Sequence, residues 1–292
     1  MKYITVAEFA EKMNLSNRTI RQYCASRKIQ GTFLKGNSWN IPENAVLPHR
    51  AYKKKLLYVL KEEKDTKRKG GVYHRTQIDL TYNSNKMEGS RLTYEQAQNI
   101  FENKTIGLSK INLNADDIIT TLNHFRCIDF IIEKGNAKLT ETFIKEMHYI
   151  FKSGTYNSGK DWFNVGEYKK VPNEGHNYET CPPEQVAAKM KKLLAGYHST
   201  KNKTIENIID LYYKFEIIHP FQDGNGPIAR LIIFKECLTN NIIPFIIDEH
   251  LTYFYFKGLQ QWKTKKQYLV DTCLSGQKNY KTILNYFNVA YR

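Results

Sequence analysis

Cysteine is scarce in this chain and badly placed for cross-linking. The 292 residues hold five, Cys24, Cys127, Cys181, Cys237 and Cys273, an odd and scattered set without a C-x-x-C pair. Neither a disulfide framework nor a zinc site is signalled, and the cytoplasm is the default expectation. Long apolar runs are missing as well. The longest, Leu231 to Phe234 and Ile242 to Ile247, fall far short of the roughly 20 residues a bilayer helix needs. Met1-Lys2-Tyr3 opens onto no uninterrupted apolar segment of the signal-peptide kind, so no membrane partner is expected. Internal repeats and low-complexity tracts are absent, which argues against solenoids and linear-motif hubs. Acidic residues are outnumbered, 29 against 44 Lys and Arg, for a formal charge of +15. With 41% hydrophobic and 25% charged residues, the composition is that of a globular chain able to bury a core, and the length favours two domains.

The excess charge is local. Residues 1–75 carry 17 Lys and Arg against 6 Asp and Glu, whereas the remainder carries 27 against 23. The densest parts, Lys53-Lys54-Lys55 and Lys67-Arg68-Lys69, flank an apolar set of Leu56, Leu57, Val59 and Leu60 that suits one face of a helix. These features predict a module over 1–50, a basic connector helix over 51–75 and a larger domain over 76–292.

Helical punctuation recurs in the larger part. Asn114 precedes Asp116-Asp117 and a stripe from Ile118 to Ile132 that stops at Gly135, so capping, dipole and periodicity agree on a long core helix. Thr140 opens a segment with Phe143, Met147, Ile150 and Phe151 that closes at Gly154, and Pro182-Pro183 starts another through Leu194. Between them, Trp162 to Tyr168 and Lys169 to Asn173 read as short extended pieces. Residues 241–292, with Phe254, Leu259, Trp262, Leu269 and Leu274, are expected to add packing helices. His124 and His148 lie within helix stripes, and His49, His74, His176, His198 and His250 have no neighbour at metal spacing, so none is assigned a ligand role.

At the N-terminus, Ile4 to Met13 has helical spacing after a Thr cap, Asn14-Leu15-Ser16 forms a turn, and Asn17 to Tyr23 resumes the helix. Arg18 and Arg21 lie three apart on the second helix and can face one surface. Lys28 to Phe33 and Ser38 to Ile41, joined around Gly36, suit a small wing. This stretch resembles the winged helix-turn-helix modules of the excisionase and MerR type, which implies double-stranded DNA as a partner, with Arg18 and Arg21 as contacts.

One segment concentrates chemistry. An apolar face of Ile208, Leu211, Tyr212, Phe215 and Ile218 leads to His219, where Pro220 breaks the helix. A short loop, Phe221 to Gly226, then runs into a second helix predicted to have Pro227 at its first position. A glycine-rich loop ending at a helix N-terminus suits a nucleotide phosphate. Arg230, one turn on, can reach the same anion; Asp223 can hold Mg²⁺ against it; His219 can take a proton from an attacking hydroxyl near neutral pH.

His219-Pro220-Phe221-Gln222-Asp223-Gly224-Asn225-Gly226-Pro227-Ile228-Ala229-Arg230 resembles the signature loop of the Fic family, most members of which transfer AMP from ATP to a protein hydroxyl. The resemblance implies a mainly α, helical Fic-like core with a small β-hairpin flap. It also implies His219 as general base, Asp223 as Mg²⁺ ligand, Gly224, Asn225 and Gly226 as phosphate-binding backbone, and Arg230 as a contact to the terminal phosphates. Pro227 departs from the pattern, standing where the family usually has an arginine. It removes a guanidinium and a backbone N–H, each hydrogen bond to a charged group being worth roughly 1.5–3 kcal/mol. Ser84-Asn85-Lys86-Met87-Glu88-Gly89 resembles the family's inhibitory motif, implying that Glu88, with Ser84 one helical turn before it, competes with phosphate for Arg230. The piece from Gly166 to about Cys181 resembles the flap that pairs with a target segment, although Lys169 and Lys170 equally suit a solvated turn.

The leading expectation is therefore an autoinhibited, Mg²⁺-dependent protein adenylyltransferase acting on a Ser, Thr or Tyr hydroxyl of a protein, which could be itself. The alternatives are the reverse reaction, removal of AMP by water, and a DNA-binding regulator whose Fic-like body senses a nucleotide. A homo-oligomer is left open.

Overall fold

A computed structural model describes residues 2–13, 16–46, 55–107, 112–175 and 178–289. The expected turn residues Asn14 and Leu15, the basic Lys53 and Lys54, and His49 and His176 lie outside them. The chain forms two compact bodies, Met1–Tyr52 and Lys53–Arg292.

The first body has strand β1 (Tyr3–Thr5), helices α1 (Val6–Lys12) and α2 (Asn17–Ala25), and strands β2 (Phe33–Lys35) and β3 (Ser38–Pro42). Thr5 and Glu8 form a reciprocal capping box that starts α1, and Ser16 caps α2. The sheet is antiparallel in the order β1-β3-β2, with Ile4 opposite Ile41 and Leu34 opposite Trp39. Two details differ from expectation. The first strand of the wing begins at Phe33 rather than Lys28, and Ile4, expected to open the helical stretch, lies in a third strand, Tyr3–Thr5. Phe9, Ile20, Cys24, Ile29 and Ile41 are buried together, a small core under which α1 and α2 meet. Arg18 and Arg21 are both exposed, away from Ile20 and Cys24.

The second body is helical: α3 (Leu56–Asp65), α4 (Val72–Met87), α5 (Tyr94–Asn103), α6 (Ala115–Lys134), α7 (Glu141–Lys152), α8 (Pro183–Ser199), α9 (Ile205–Ile218), α10 (Asn225–Thr239), α11 (Glu249–Gln260) and α12 (Lys266–Tyr286). Asn114 accepts the Asp116 N–H at 3.0 Å to start α6, and Thr140 accepts the Phe143 N–H to start α7. Helix α10 is buried from Pro227 through Leu238 on all sides and packs against α9, α7 and α6, as an apolar-all-round helix must. Even its charges are internal: Lys235 reaches the Ala137 carbonyl and Glu236, each at 2.6 Å, and Glu236 accepts the Tyr197 hydroxyl.

Three expectations need correction. The described part of the expected connector, α3, belongs to the second body: Leu56, Leu57 and Leu60 join the same core as α10. The boundary set at residue 76 would cut α4, which begins at Val72. The stretch 162–173 holds no strand; the hairpin lies later, with β4 (Glu174–Gly175) antiparallel to β5 (Tyr178–Glu179). In the C-terminal part Leu259, Trp262 and Leu269 pack inward as expected, while Phe254 and Leu274 are exposed.

Candidate active site

Helix α9 ends where Pro220 forbids its continuation. His219 takes the left-handed conformation, φ 50° and ψ 61°, and its N–H still closes on the Phe215 carbonyl at 2.9 Å. The chain then turns through Phe221, which is fully buried, and re-enters a helix at Asn225 after Gly224 in the left-handed region, φ 81°. Pro227 is therefore the third residue of α10, not the first. The position tolerates it because the first intrahelical bond is made by the next residue, Ile228, to Gly224. The cost is that, of the three leading N–H groups that point out of the helix mouth, only those of Asn225 and Gly226 exist.

Asn225 has a second task. Its side chain accepts the Phe221 N–H and donates to the Phe221 carbonyl, both at 2.8 Å, which fixes the loop as a closed ring. The ring of Phe221 stacks on His148 at 3.8 Å with 2° between the planes. His148 accepts the Gly166 N–H on Nδ1, so Nε2 carries the proton and donates to the Asp223 carbonyl at 3.0 Å. Burial pushes the His148 imidazole down to about 4, keeping that tautomer neutral. One turn along α7, Lys152 is buried and lies 2.6 Å from Asp223 Oδ2, while the Gly224 N–H donates to Oδ1. Burial works to raise the Asp223 carboxyl; Lys152 and the Gly224 amide outweigh it and hold it below the usual aspartate value. Sequence reasoning assigned no role to His148 and passed over Lys152. The available signal was their i,i+4 spacing amid the apolar face of Phe143, Met147 and Phe151.

Arg230 is buried and three times engaged. Nε donates to Ser84 Oγ at 3.0 Å, and Nη2 donates to the Ser84 carbonyl at 3.0 Å and to Glu88 Oε1 at 2.7 Å. Glu88 caps the C-terminal end of α4, followed by Gly89 at φ 88°. Its carboxylate sits over the mouth of α10: a Cβ on Gly226 would come within 2.5 Å of Glu88 Oε1 and 3.1 Å of Arg230 Nη1. The α4 and α10 residues singled out in the sequence thus meet in one place.

His219 is partly buried. Desolvation and then the charge of Lys169 lower its imidazole to about 4, against the opposing pull of the Glu216 backbone and the Glu88 and Asp223 carboxylates. It is neutral at physiological pH and able to accept a proton. His219, Asp223, Gly226 and Arg230 open onto a cavity of about 660 Å³, within the usual range for a small-molecule site. Tyr212, Tyr213, Phe256 and Leu259 also line it, offering apolar and aromatic surface suited to a planar base. No group of three or more metal-ligating side chains occurs among the described residues. A Mg²⁺ ion taking one ligand from Asp223 and the rest from phosphate and water fits that arrangement, provided Lys152 yields Oδ2.

Arg18 and Arg21 belong to the first body, while the residues of this site belong to the second. Lys169 is buried, against the solvated-turn reading, whereas Lys170 is exposed. No helix among the described residues is long and apolar enough to cross a membrane.

Comparison with known proteins converges on one family. Residues 138–236 match the family model described as Fic/DOC family. The chain is 23% identical over 184 residues to protein adenylyltransferase Fic of Nematostella vectensis, covering 62% of this chain and 42% of that protein. It is 22% identical to protein adenylyltransferase fic-1 of Caenorhabditis elegans, covering 61% and 35%. The match thus spans less than half the length of either curated relative. Among solved structures, a Fic domain containing signaling protein from Bacteroides thetaiotaomicron superposes with a TM-score of 0.60 at 26% identity, covering 82% of this chain and 92% of that one. Fic-1 of C. elegans gives 0.60 at 17% identity, covering 82% and 73%.

Proposed function

From the match of residues 138–236 to the Fic/DOC family model, we propose that this protein transfers AMP from ATP to a hydroxyl of a protein and is restrained by Glu88. The observation that carries the reading is the contact of Glu88 Oε1 with both Arg230 and the mouth of α10. A carboxylate already occupies the place an anionic phosphate would take.

In the forward reaction the triphosphate lies along the Asn225 and Gly226 amides, where backbone N–H groups and the helix dipole favour negative charge. Neutral His219 removes the proton of the acceptor Ser, Thr or Tyr. The hydroxyl oxygen bonds to the α-phosphorus, the bond from that phosphorus to the β-bridging oxygen breaks, and pyrophosphate departs. Asp223 would hold Mg²⁺, which when bound neutralises phosphate charge and orients the leaving group. Glu88 opposes all this by holding Arg230 and repelling phosphate. Replacing it leaves Arg230 tied only to Ser84, with a guanidinium edge open to the nucleotide.

The test is labelling with ATP radiolabelled at the α- or the γ-phosphate, comparing wild type with Glu88→Gly. Expected are α-label without γ-label and a gain of about tenfold or more in the variant, the worth of one charge-assisted hydrogen bond. Absence of α-label from both proteins would sink the proposal. In that case Pro227 favours the second reading, a DNA-binding regulator that senses a nucleotide. Its signature is an ATP-responsive mobility shift that survives His219→Ala and disappears with Arg18→Ala plus Arg21→Ala. Release of AMP from a modified protein would mark the reverse reaction.

A further inference from the structure

The three carbonyls that follow His219 are all taken by the segment leading into the β4–β5 hairpin. The Lys169 N–H donates to the Pro220 carbonyl at 2.9 Å, and Asn173 Nδ2 donates to the Phe221 and Gln222 carbonyls at 2.9 and 3.2 Å. An amide side chain can turn either face to the loop. Here the choice is made by Lys169, whose ammonium donates to Asn173 Oδ1 at 2.6 Å and to Thr180 Oγ1 at 2.8 Å. A cation beside Oδ1 leaves Nδ2, the only donor end of the amide, facing the carbonyls. Thr180 Oγ1 in turn donates to the Asn173 carbonyl, which pins the far strand of the hairpin to the same node.

Lys169 is 3% exposed. Both of its hydrogen-bond acceptors just described are neutral, an expensive arrangement for an ammonium. Burial accordingly lowers it to about 8, with the Cys181 thiol group pulling weakly the other way. A buried charge kept at such cost invites the question of what it acts on. The charged groups that face the catalytic imidazole are Lys169 from the hairpin segment, Glu88 from α4 and Asp223 from the loop; Glu216, on its own helix, acts through its backbone. Lys169 is the cation of that set.

We infer that Lys169 is a positioning residue for His219: it fixes the Asn173 amide that braces the loop carrying the imidazole, and its ammonium is the cation set against that ring. The inference rests on the reading of His219 as general base, but its first test does not need turnover. The His219 ring titration is followed by NMR of the full chain, with the resonance assigned through His219→Gln. Lys169→Met is expected to move the midpoint upward by about half a unit or more, and Lys169→Arg to leave it low. An unchanged midpoint in a folded Lys169→Met protein overturns the inference. A shifted midpoint in a protein that never transfers AMP would uphold it while discarding the proposed function.

If the Met variant does not fold, two measurements on conservative variants decide. The wild-type labelling rate should fall with rising pH near the Lys169 midpoint at about 8, because a neutral amine can accept as well as donate and no longer dictates which end Asn173 turns to the loop, and Lys169→Arg, which stays charged, should lose that limb. Asn173→Ala should lower kcat about tenfold, with the KM for ATP little changed and the His219 midpoint in place. A limb that persists in the Arg variant, or an Asn173 variant that turns over like wild type, counts against the brace.

Discussion

At the scale of single residues, Pro227 and Gly226 make opposite demands on the mouth of α10. Pro227 is buried and withholds an N–H where a phosphate would meet it. Replacing it with alanine restores one backbone donor without requiring new space. In the Glu88→Gly background the Pro227→Ala substitution should therefore tighten ATP binding, by about tenfold or more for one added hydrogen bond to a charged group, as read by calorimetry. Unchanged affinity would mean that the phosphates do not approach the third residue of the helix. Gly226→Ala works the other way. Its Cβ would press on Glu88 and Arg230, so the variant should disturb the Glu88–Arg230 pair in the wild type yet still bind ATP poorly when combined with Glu88→Gly, because the new methyl fills the proposed phosphate approach. Tight binding by that double variant would relocate the nucleotide. Most of this constellation was legible in the sequence, since His219, Asp223, Gly224 to Gly226 and Arg230 sit within twelve positions. The supports were not. His148, Lys152, Asn173 and Lys169 act across sequence gaps of about 50 to 75 residues, and nothing local to any of them announces which carbonyl or carboxylate it will meet.

At the scale of elements, α4 carries Glu88 but is itself part of the core. Tyr73 and Gln77 hydrogen-bond Asp129 at 2.7 and 2.9 Å, Thr81 meets the buried His124 at 2.9 Å, and Asn85 donates to Thr121 at 2.9 Å. Four successive turns of α4 are thus fastened to α6. On the proposed function, release of Arg230 comes from rotation of the Glu88 side chain rather than from α4 lifting away. Hydrogen exchange checks this: α4 amides should be as protected as those of α6, and equally so in wild type, in Glu88→Gly and with a non-hydrolysable ATP analogue bound. Faster exchange confined to α4 in the activated states would instead mean that the whole helix undocks. Elements with strong end signals could be read from sequence, α6 between Asn114 and Gly135 being the clearest. Those that depend on partners could not. Strand β1 is three residues long and exists by pairing with β3, and β4 and β5 are two residues each, too short for any period. The apolar face of α3 signals burial without saying in which body.

At the scale of the whole molecule, acid should act on the two bodies differently. Three imidazoles of the second body are held below their ordinary value of about 6.5, chiefly by burial: His124 at about 3, and His148 and His219 at about 4. The unfolded chain binds protons at these positions below about pH 6.5, whereas the folded chain refuses them until about pH 4, so stability rises with pH in that window. It is fully present above pH 6.5 and declines as acid is added, with a limiting slope of about 1.4 kcal/mol per pH unit for each imidazole. The lowered carboxyl of Asp223 adds to the loss only at lower pH, as it takes up its own proton. Among the described residues the first body has no histidine, and the shifted acid it does hold, Glu8, is lowered by the Thr5 backbone and hydroxyl and so takes up its proton only in stronger acid. Urea unfolding at pH 7, 5.5 and 4.5, with Trp39 reporting on the first body and Trp262 on the second, should show the second transition moving steeply to lower urea while the first stays nearly fixed. Replacing His148 with glutamine should flatten that dependence by close to one proton. A second transition as indifferent to pH as the first would mean that these rings titrate in the native state as they do in the unfolded chain, near 6.5, so that burial does not keep His219 free of a proton in mildly acid solution.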